Sequence, residues 1–181
     1  MNGIADAIER FIDWSGRAVS WLTLFMVIIT FAVVVLRYLF DSGWIAVQES
    51  IGFMHAAVFL IGAAYTLQHE GHVRVDIFYS HFGERARAWV DLCGALFMLM
   101  PIMVFIGWIS WEYVIESWNV LEGSREAGGL PGVYLLKSLI LVMAALLMLQ
   151  ASAQVIRAVH TILAKDSKSA ADNDIHNTGG V

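Results

Sequence analysis

Charge is scarce in this sequence. Asp, Glu, Lys and Arg make up 15% of its 181 residues against 59% hydrophobic residues, and the mean hydropathy is +0.67. An ordinary soluble domain lies outside that balance, and a membrane protein fits it. Cysteine is scarcer still: Cys93 stands alone, which excludes an intrachain disulfide and any cysteine-based metal framework. A basic patch is missing as well, and the net charge of −5 argues against nucleic acid as a partner. The start, "MNGIADAIERFIDWSGR", lacks the basic lead and small-residue cleavage site of a signal peptide. No Walker loop, nucleophile triad or pair of buried carboxylates occurs, so neither an enzyme nor a cofactor is expected.

What the chain has in abundance is long apolar runs. Crossing a bilayer as a helix takes about 20 apolar residues, and backbone in lipid must satisfy its own hydrogen bonds. Four windows meet that length, 18–36, 50–68, 92–111 and 131–156, and Lys137 is the one Asp, Glu, Lys or Arg within them. The expected fold is therefore all-α and integral to the membrane. Residues 1–164 form a single four-helix domain, and the polar stretch 165–181 forms a flexible tail. Ahead of the first span, Ile4, Ile8, Phe11 and Ile12 recur at helical spacing opposite Asp6, Glu9, Arg10 and Asp13. This pattern predicts an amphipathic N-terminal segment lying at the interface.

Lys and Arg are distributed unevenly among the connections. Arg10, Arg17, Arg74, Arg85, Arg87, Arg157, Lys165 and Lys168 fall on one side, and Arg37, Arg125 and Lys137 on the other. The asymmetry predicts both termini in the cytoplasm. The connection after the second span, "HEGHVRVDIFYSHFGERARAWVD", is the most polar internal run. Gly71 is expected to stop the helix in the left-handed conformation, and Asp76 to cap an interfacial helix between the second and third spans. His69 and His72 have the i,i+3 spacing of two metal ligands, but Gly71 separates them and no carboxylate or cysteine set completes a site, so no metal is expected. Arg74 suits a lipid phosphate or a partner's carboxylate.

Within the spans, His55 is the ionisable group deepest in an apolar run, and it is read as satisfied against a neighbouring helix. Arg37 and Glu49 flank one short connection, where an ion pair and independent solvation both remain open. Lys137 is expected to snorkel outward. Glu112 and Glu116 form a wet acidic face. Gly52, Ala56, Gly107, Ala144, Ala145, Ala151 and Ser152 offer small positions for helix contact.

The series "VVLRYLF", "WIAVQE" and "FLIGAAYTLQHEGHVRVDIFY", followed by "EGSREAGGLPGVYLLKSLILVMAALLMLQ", resembles the small membrane subunit of tripartite ATP-independent periplasmic (TRAP) transporters over residues 15 to 160. The resemblance implies a permease subunit of the bacterial inner membrane. It would brace a large transport subunit during sodium-driven uptake of an organic acid or similar small solute, delivered by a periplasmic binding protein. Phospholipids would be further partners. The family-like positions are Arg37, Trp44, Glu49, Gly62, His72, Arg74, Val75, Asp76, Gly129, Pro131 and Lys137, while "PGVY" departs mildly from the more aromatic sequence the family carries there. A haem-bearing anchor of a redox complex is the alternative; it requires histidines at matched depth on facing helices.

Overall fold

A computed structural model describes the backbone of residues 2–69, 71 and 82–178, and side chains through Ala164. Four helices account for nearly all of it: α1 (Asn2–Phe40), α2 (Ile45–Gln68), α3 (Glu84–Asn119) and α4 (Val133–Thr178). All four are long and apolar enough to cross a membrane, and no strand occurs among the described residues. Phe25, Ile28 and Phe31 on α1 and Phe97, Phe105, Trp108 and Ile109 on α3 point outward. In water such side chains would drive aggregation, whereas in hydrocarbon they are solvated.

The N-terminal segment is not a separate element, because α1 runs unbroken from it into the first span. Its apolar stripe divides: Ile12 is fully buried and Ile8 packs on the same core, while Ile4 and Phe11 stay exposed. Its acidic face is also in use. Asp6 and Glu9 both receive hydrogen bonds from the Arg157 guanidinium of α4, at 3.1 Å for Asp6. The first turns of α1 are thereby tied to the far half of α4.

Helix α4 is the axis of the bundle and packs against the other three. It can do so because its buried face includes Ala144, Ala151, Ala153 and Ala158, which bring neighbouring backbones close. Ile12, Ala64, Met103, Leu146 and Leu147 form one core cluster, and Ala88, Leu92, Ala158 and Ile162 a second nearer the termini. Of the other small positions, Ala145 and Gly52 face outward. Glycine matters most at Gly16, where α1 and α2 cross. A Cβ there would collide with the Tyr65 side chain, including its anchored Cβ at 2.6 Å.

Helix α3 relaxes to π geometry over Ala95–Leu99, with Met100 between that turn and Pro101. Proline has no N–H to donate and its ring crowds the carbonyl four residues back, so a wider turn absorbs the mismatch. The end of α2 differs from expectation. Gly71 is not left-handed; its N–H donates to the Thr66 carbonyl at 2.9 Å, and a Cβ on it would lie 3.0 Å from Thr66 Cγ2. Close approach, not positive φ, makes glycine fit there. The helix bearing Trp89 and Val90 begins at Glu84 with Gly83 at its N-cap and continues into the third span. Asp76, His72, Arg74 and Val75 lie outside the described residues. The backbone of α4 stays helical to Thr178, through the stretch expected as a tail.

Candidate functional site

At the bundle end opposite the termini, the α3–α4 connection is fastened to α2 and α4 by a clasp of polar side chains. Glu49, one turn into α2, accepts hydrogen bonds from Ser124 Oγ and from the Leu130 N–H, the latter at 2.7 Å. Ser124 and Leu130 also meet through their backbones at 2.9 Å, closing a loop that turns at Gly128 (φ +81°). Gly129 sits under the carboxylate: a Cβ on it would fall 2.7 Å from Glu49 Oε2 and closer still to Ser124. A methyl group at this position would displace the ligand oxygen of the clasp.

The second half of the clasp is Lys137. Its Nζ stands 2.5 Å from Glu122 Oε2 and 3.8 Å from the centre of the Tyr113 ring, with its side chain 14% exposed. Lys137 therefore does not snorkel. The carboxylate and the aromatic face satisfy the ammonium in place, which is less costly than stretching it to water. Glu122 also accepts from Ser117 Oγ at 2.7 Å. These bonds, that from Lys137 foremost, hold its carboxyl below the ordinary carboxylate range. Trp118 finishes the packing, donating to Ser138 Oγ at 2.8 Å with its ring edge-on to Tyr134 at 4.7 Å.

The connection enters through a Schellman ending of α3. Leu121 takes φ 47°, with Glu122 N–H bonded to Ser117 O at 3.0 Å and Leu121 N–H to Trp118 O at 3.1 Å. Glycine usually occupies that left-handed position. Here a leucine does, and Val120 and Leu121 are both exposed.

The remaining family-like residues are scattered. Arg37 does not pair with Glu49; it donates to Gln48 Oε1 at 2.9 Å, leaving Glu49 to the loop. Trp44 is the extended residue before α2 (φ −106°, ψ 111°), its carbonyl accepting from Val47 and Gln48 while its ring is 69% exposed. Pro131 follows the clasp and precedes α4. Gly62 lines a groove of about 320 Å³ between α1 and α2 with Gly16, Ser20, Thr23, Phe59 and Thr66.

That groove belongs to an unusual face. Gln48, Gly52, His55 and Phe59 form the outward stripe of α2, and Ser20, Thr23 and Thr30 are exposed on α1. His55 does not turn to a neighbouring helix. Its ring lies 4.5 Å from Phe59 of its own helix, which leaves it exposed about 15 Å along α2 at ~1.5 Å per residue. His69, at the end of α2, stacks on Tyr65 and lies 3.7 Å from Asp13. The haem alternative loses its support, since it needs His55 facing a second histidine inside the bundle. Among the described residues no group of His, Cys, Asp or Glu is placed to hold a metal ion.

Sequence reasoning missed Glu122 and Ser124 in the clasp, and Arg157 with Glu9 at the other end. Each was visible only as a flank charge or a loop residue, because no spacing rule links positions so far apart in the chain.

The sequence profile of the family described as tripartite ATP-independent periplasmic transporters, DctQ component, matches residues 26–161. The chain belongs to this family. That match takes in the whole clasp, the α2 stripe and α4 past Arg157, and leaves out the first 25 residues, with the N-terminal acids, Gly16, Ser20 and Thr23. Among curated proteins, a C4-dicarboxylate TRAP transporter small permease protein from Vibrio cholerae serotype O1 is 30% identical over 109 residues, 60% of this chain and 44% of the relative. The match thus spans less than half of that protein's length. No solved structure is similar to the chain. The chain is accordingly a DctQ-component family member with four helices long and apolar enough to cross a membrane.

Proposed function

We propose that this chain is the static brace of its transporter: it packs beside a large transport subunit and holds that subunit's fixed part at constant height and tilt. The large subunit would carry out sodium-driven uptake of an organic acid or similar small solute delivered by a periplasmic binding protein. The assembly would reside in the inner membrane with both termini of this chain cytoplasmic, bordered by phospholipids.

The observation that carries this reading is the α1/α2 face. An ionisable side chain in mid-span is costly against lipid and as a rule faces protein. His55 faces outward on a stripe of α2 with Gln48, Gly52 and Phe59, and Phe59 also lines the α1/α2 groove that holds Ser20 and Thr23. Small and hydroxyl residues let a further helix approach closely, and a hydrogen-bonding group on that helix would satisfy the imidazole. The outward faces of α1 at Phe25 to Phe31 and of α3 at Phe97 to Ile109 are apolar and suit lipid. The clasp supports a bracing role too, since it locks two helices and a connection into one rigid end. Arg37, Trp44, Gly62, Pro131 and, outside the described residues, His72, Arg74 and Asp76 are assigned structural, partner or lipid contacts on the same reading.

Cysteines at Gly52 and His55 should crosslink to the large subunit in native membranes, whereas a cysteine at Phe105 should not. Proteoliposomes with large subunit and binding protein should accumulate solute only when this chain is present. Crosslinking from Phe105 alone, or undiminished uptake without the chain, refutes the reading.

A further inference from the structure

Helix α3 carries a groove of about 680 Å³ on its outer side near the clasp, lined by Val104, Gly107, Trp108, Trp111, Glu112 and Ile115. Spacings of three and four place these residues along one side of the helix. Gly107 gives the groove its depth, since nothing lies within 4 Å of where its Cβ would stand. Trp108 is 83% exposed and Trp111 60%, so both indoles offer free surface in this chain. Glu112 is exposed too, and it makes no hydrogen bond or ion pair among the described residues. Two indoles and an unengaged carboxylate thus meet at one groove.

Depth decides the kind of occupant. Asp, Glu, Lys and Arg are absent from Leu92 to Trp111, and Glu112 is the first to follow. The groove therefore straddles the level where hydrocarbon gives way to headgroups, the level at which tryptophan is enriched. Toward the bilayer centre Val104 and Phe105 are exposed and suit acyl chains. The α2–α3 connection, where residues 72–81 lie outside the description, joins α3 at its Glu84 end, about 42 Å from Glu112 at ~1.5 Å per residue. Both chain termini lie at that far end as well, so the occupant comes from outside this chain. An ionised carboxylate only accepts hydrogen bonds, and indole faces attract positive charge. The same indoles can donate their N–H to a phosphate oxygen. A zwitterion whose cation carries N–H groups matches both halves of that chemistry.

We propose that this groove binds the headgroup of an aminophospholipid in the leaflet at the clasp end, its ammonium donating to the Glu112 carboxylate and lying against the indoles of Trp108 and Trp111. The acyl chains of that lipid continue over Val104 and Phe105. The inference rests on the reading that this side of α3 meets lipid, and adds which lipid is held and which side chains select it.

The test places the full-length chain, together with the large subunit that co-purifies with it, in nanodiscs. The bilayer is an equimolar mixture of phosphatidylethanolamine and phosphatidylcholine with identical acyl chains. In parallel samples one of the two lipids carries a photoreactive group at the top of an acyl chain, and labelled peptides are mapped by mass spectrometry. Both headgroups are zwitterionic, but choline's quaternary nitrogen has no N–H to give. Phosphatidylethanolamine should label residues 104–115 about three- to fivefold more than phosphatidylcholine, the discrimination expected of one exposed charge-assisted hydrogen bond. Glu112→Ala, an exposed change that leaves packing intact, should abolish the difference, and Trp108→Leu should lower labelling by the ethanolamine lipid. Equal labelling by both lipids, or an undiminished preference in Glu112→Ala, overturns the proposal while leaving α3 facing lipid. Labelling by neither lipid, with crosslinks from this segment to the large subunit, overturns the proposal and the lipid-facing reading together.

Discussion

Replacing Gly16 by alanine tests the crossing of α1 and α2 through the sign of the result. Alanine in a helix is more stable than glycine by roughly 0.8–1.0 kcal/mol, so a glycine in an open position should reward the change. Gly107, with no atom within 4 Å of an added Cβ, is such a position. Gly16 is not, because the new methyl would meet Tyr65 atoms including the Cβ at 2.6 Å. A tyrosine Cβ is fixed to its backbone, so the helices must separate; overpacking of this kind costs about 1–3 kcal/mol. Gly16→Ala should therefore lie about 1–3 kcal/mol below Gly107→Ala, on the order of 5- to 150-fold in the folded-to-unfolded ratio. Reversible unfolding from detergent micelles into SDS, followed by circular dichroism, reads that difference. A Tyr65→Ala background should erase most of it, since the two sites are coupled through one contact. Equal gains from both alanines would show that α1 and α2 do not approach at Gly16, and the argument for the crossing would fail.

Other outcomes follow from the two bundle ends. Glu49→Ala should expose Arg125 to trypsin much faster than the parent, and Glu49→Gln less so, because glutamine can still accept from the Leu130 N–H; equal rates in all three would separate Glu49 from the loop. Leu121→Gly should stabilise the chain by about 1 kcal/mol in the same unfolding assay, since glycine relieves the left-handed backbone of a branched residue. A carboxylate held below its unfolded pKa stabilises the fold above the unfolded value, near ~4.3 for Glu, and loses that contribution as pH falls through the folded value. Loop protection measured by hydrogen exchange should thus hold from neutral pH down past the ordinary carboxylate range and fail below it. Lys137→Met should move that failure upward in pH. Arg157→Gln should weaken the tie to α1 by about 0.5–1 kcal/mol once the exposure of the guanidinium is discounted, with an effect that shrinks in high salt.

The membrane class, the helix count and the family resemblance all rest on local pattern. A run of apolar residues reports its own burial in lipid whatever its neighbours do, and the windows 18–36, 50–68, 92–111 and 131–156 lie within α1 to α4 apart from the first two residues of the last. The sequence also marked Glu49, Pro131 and Lys137 as notable, but not the side chains that Glu49 and Lys137 meet. Lys137 was expected to snorkel outward from its place near the start of the fourth span; Glu122 reaches it across the turn into α4. For Arg37 and Glu49 the shared short connection left pairing and independent solvation open, and the Leu130 N–H, 81 positions away from Glu49, offers a fixed donor that a solvated guanidinium does not. His55 shows the reverse case, where depth was legible and direction was not, since rotation about a helix axis is set by packing. The sequence by itself determined that this chain lives in a membrane as four helices, because hydropathy and helical hydrogen bonding act within a few residues. Only the tertiary structure decided which charges meet, which glycine lies at a crossing and which face is left for another helix, because those contacts join positions whose separation along the chain carries no period.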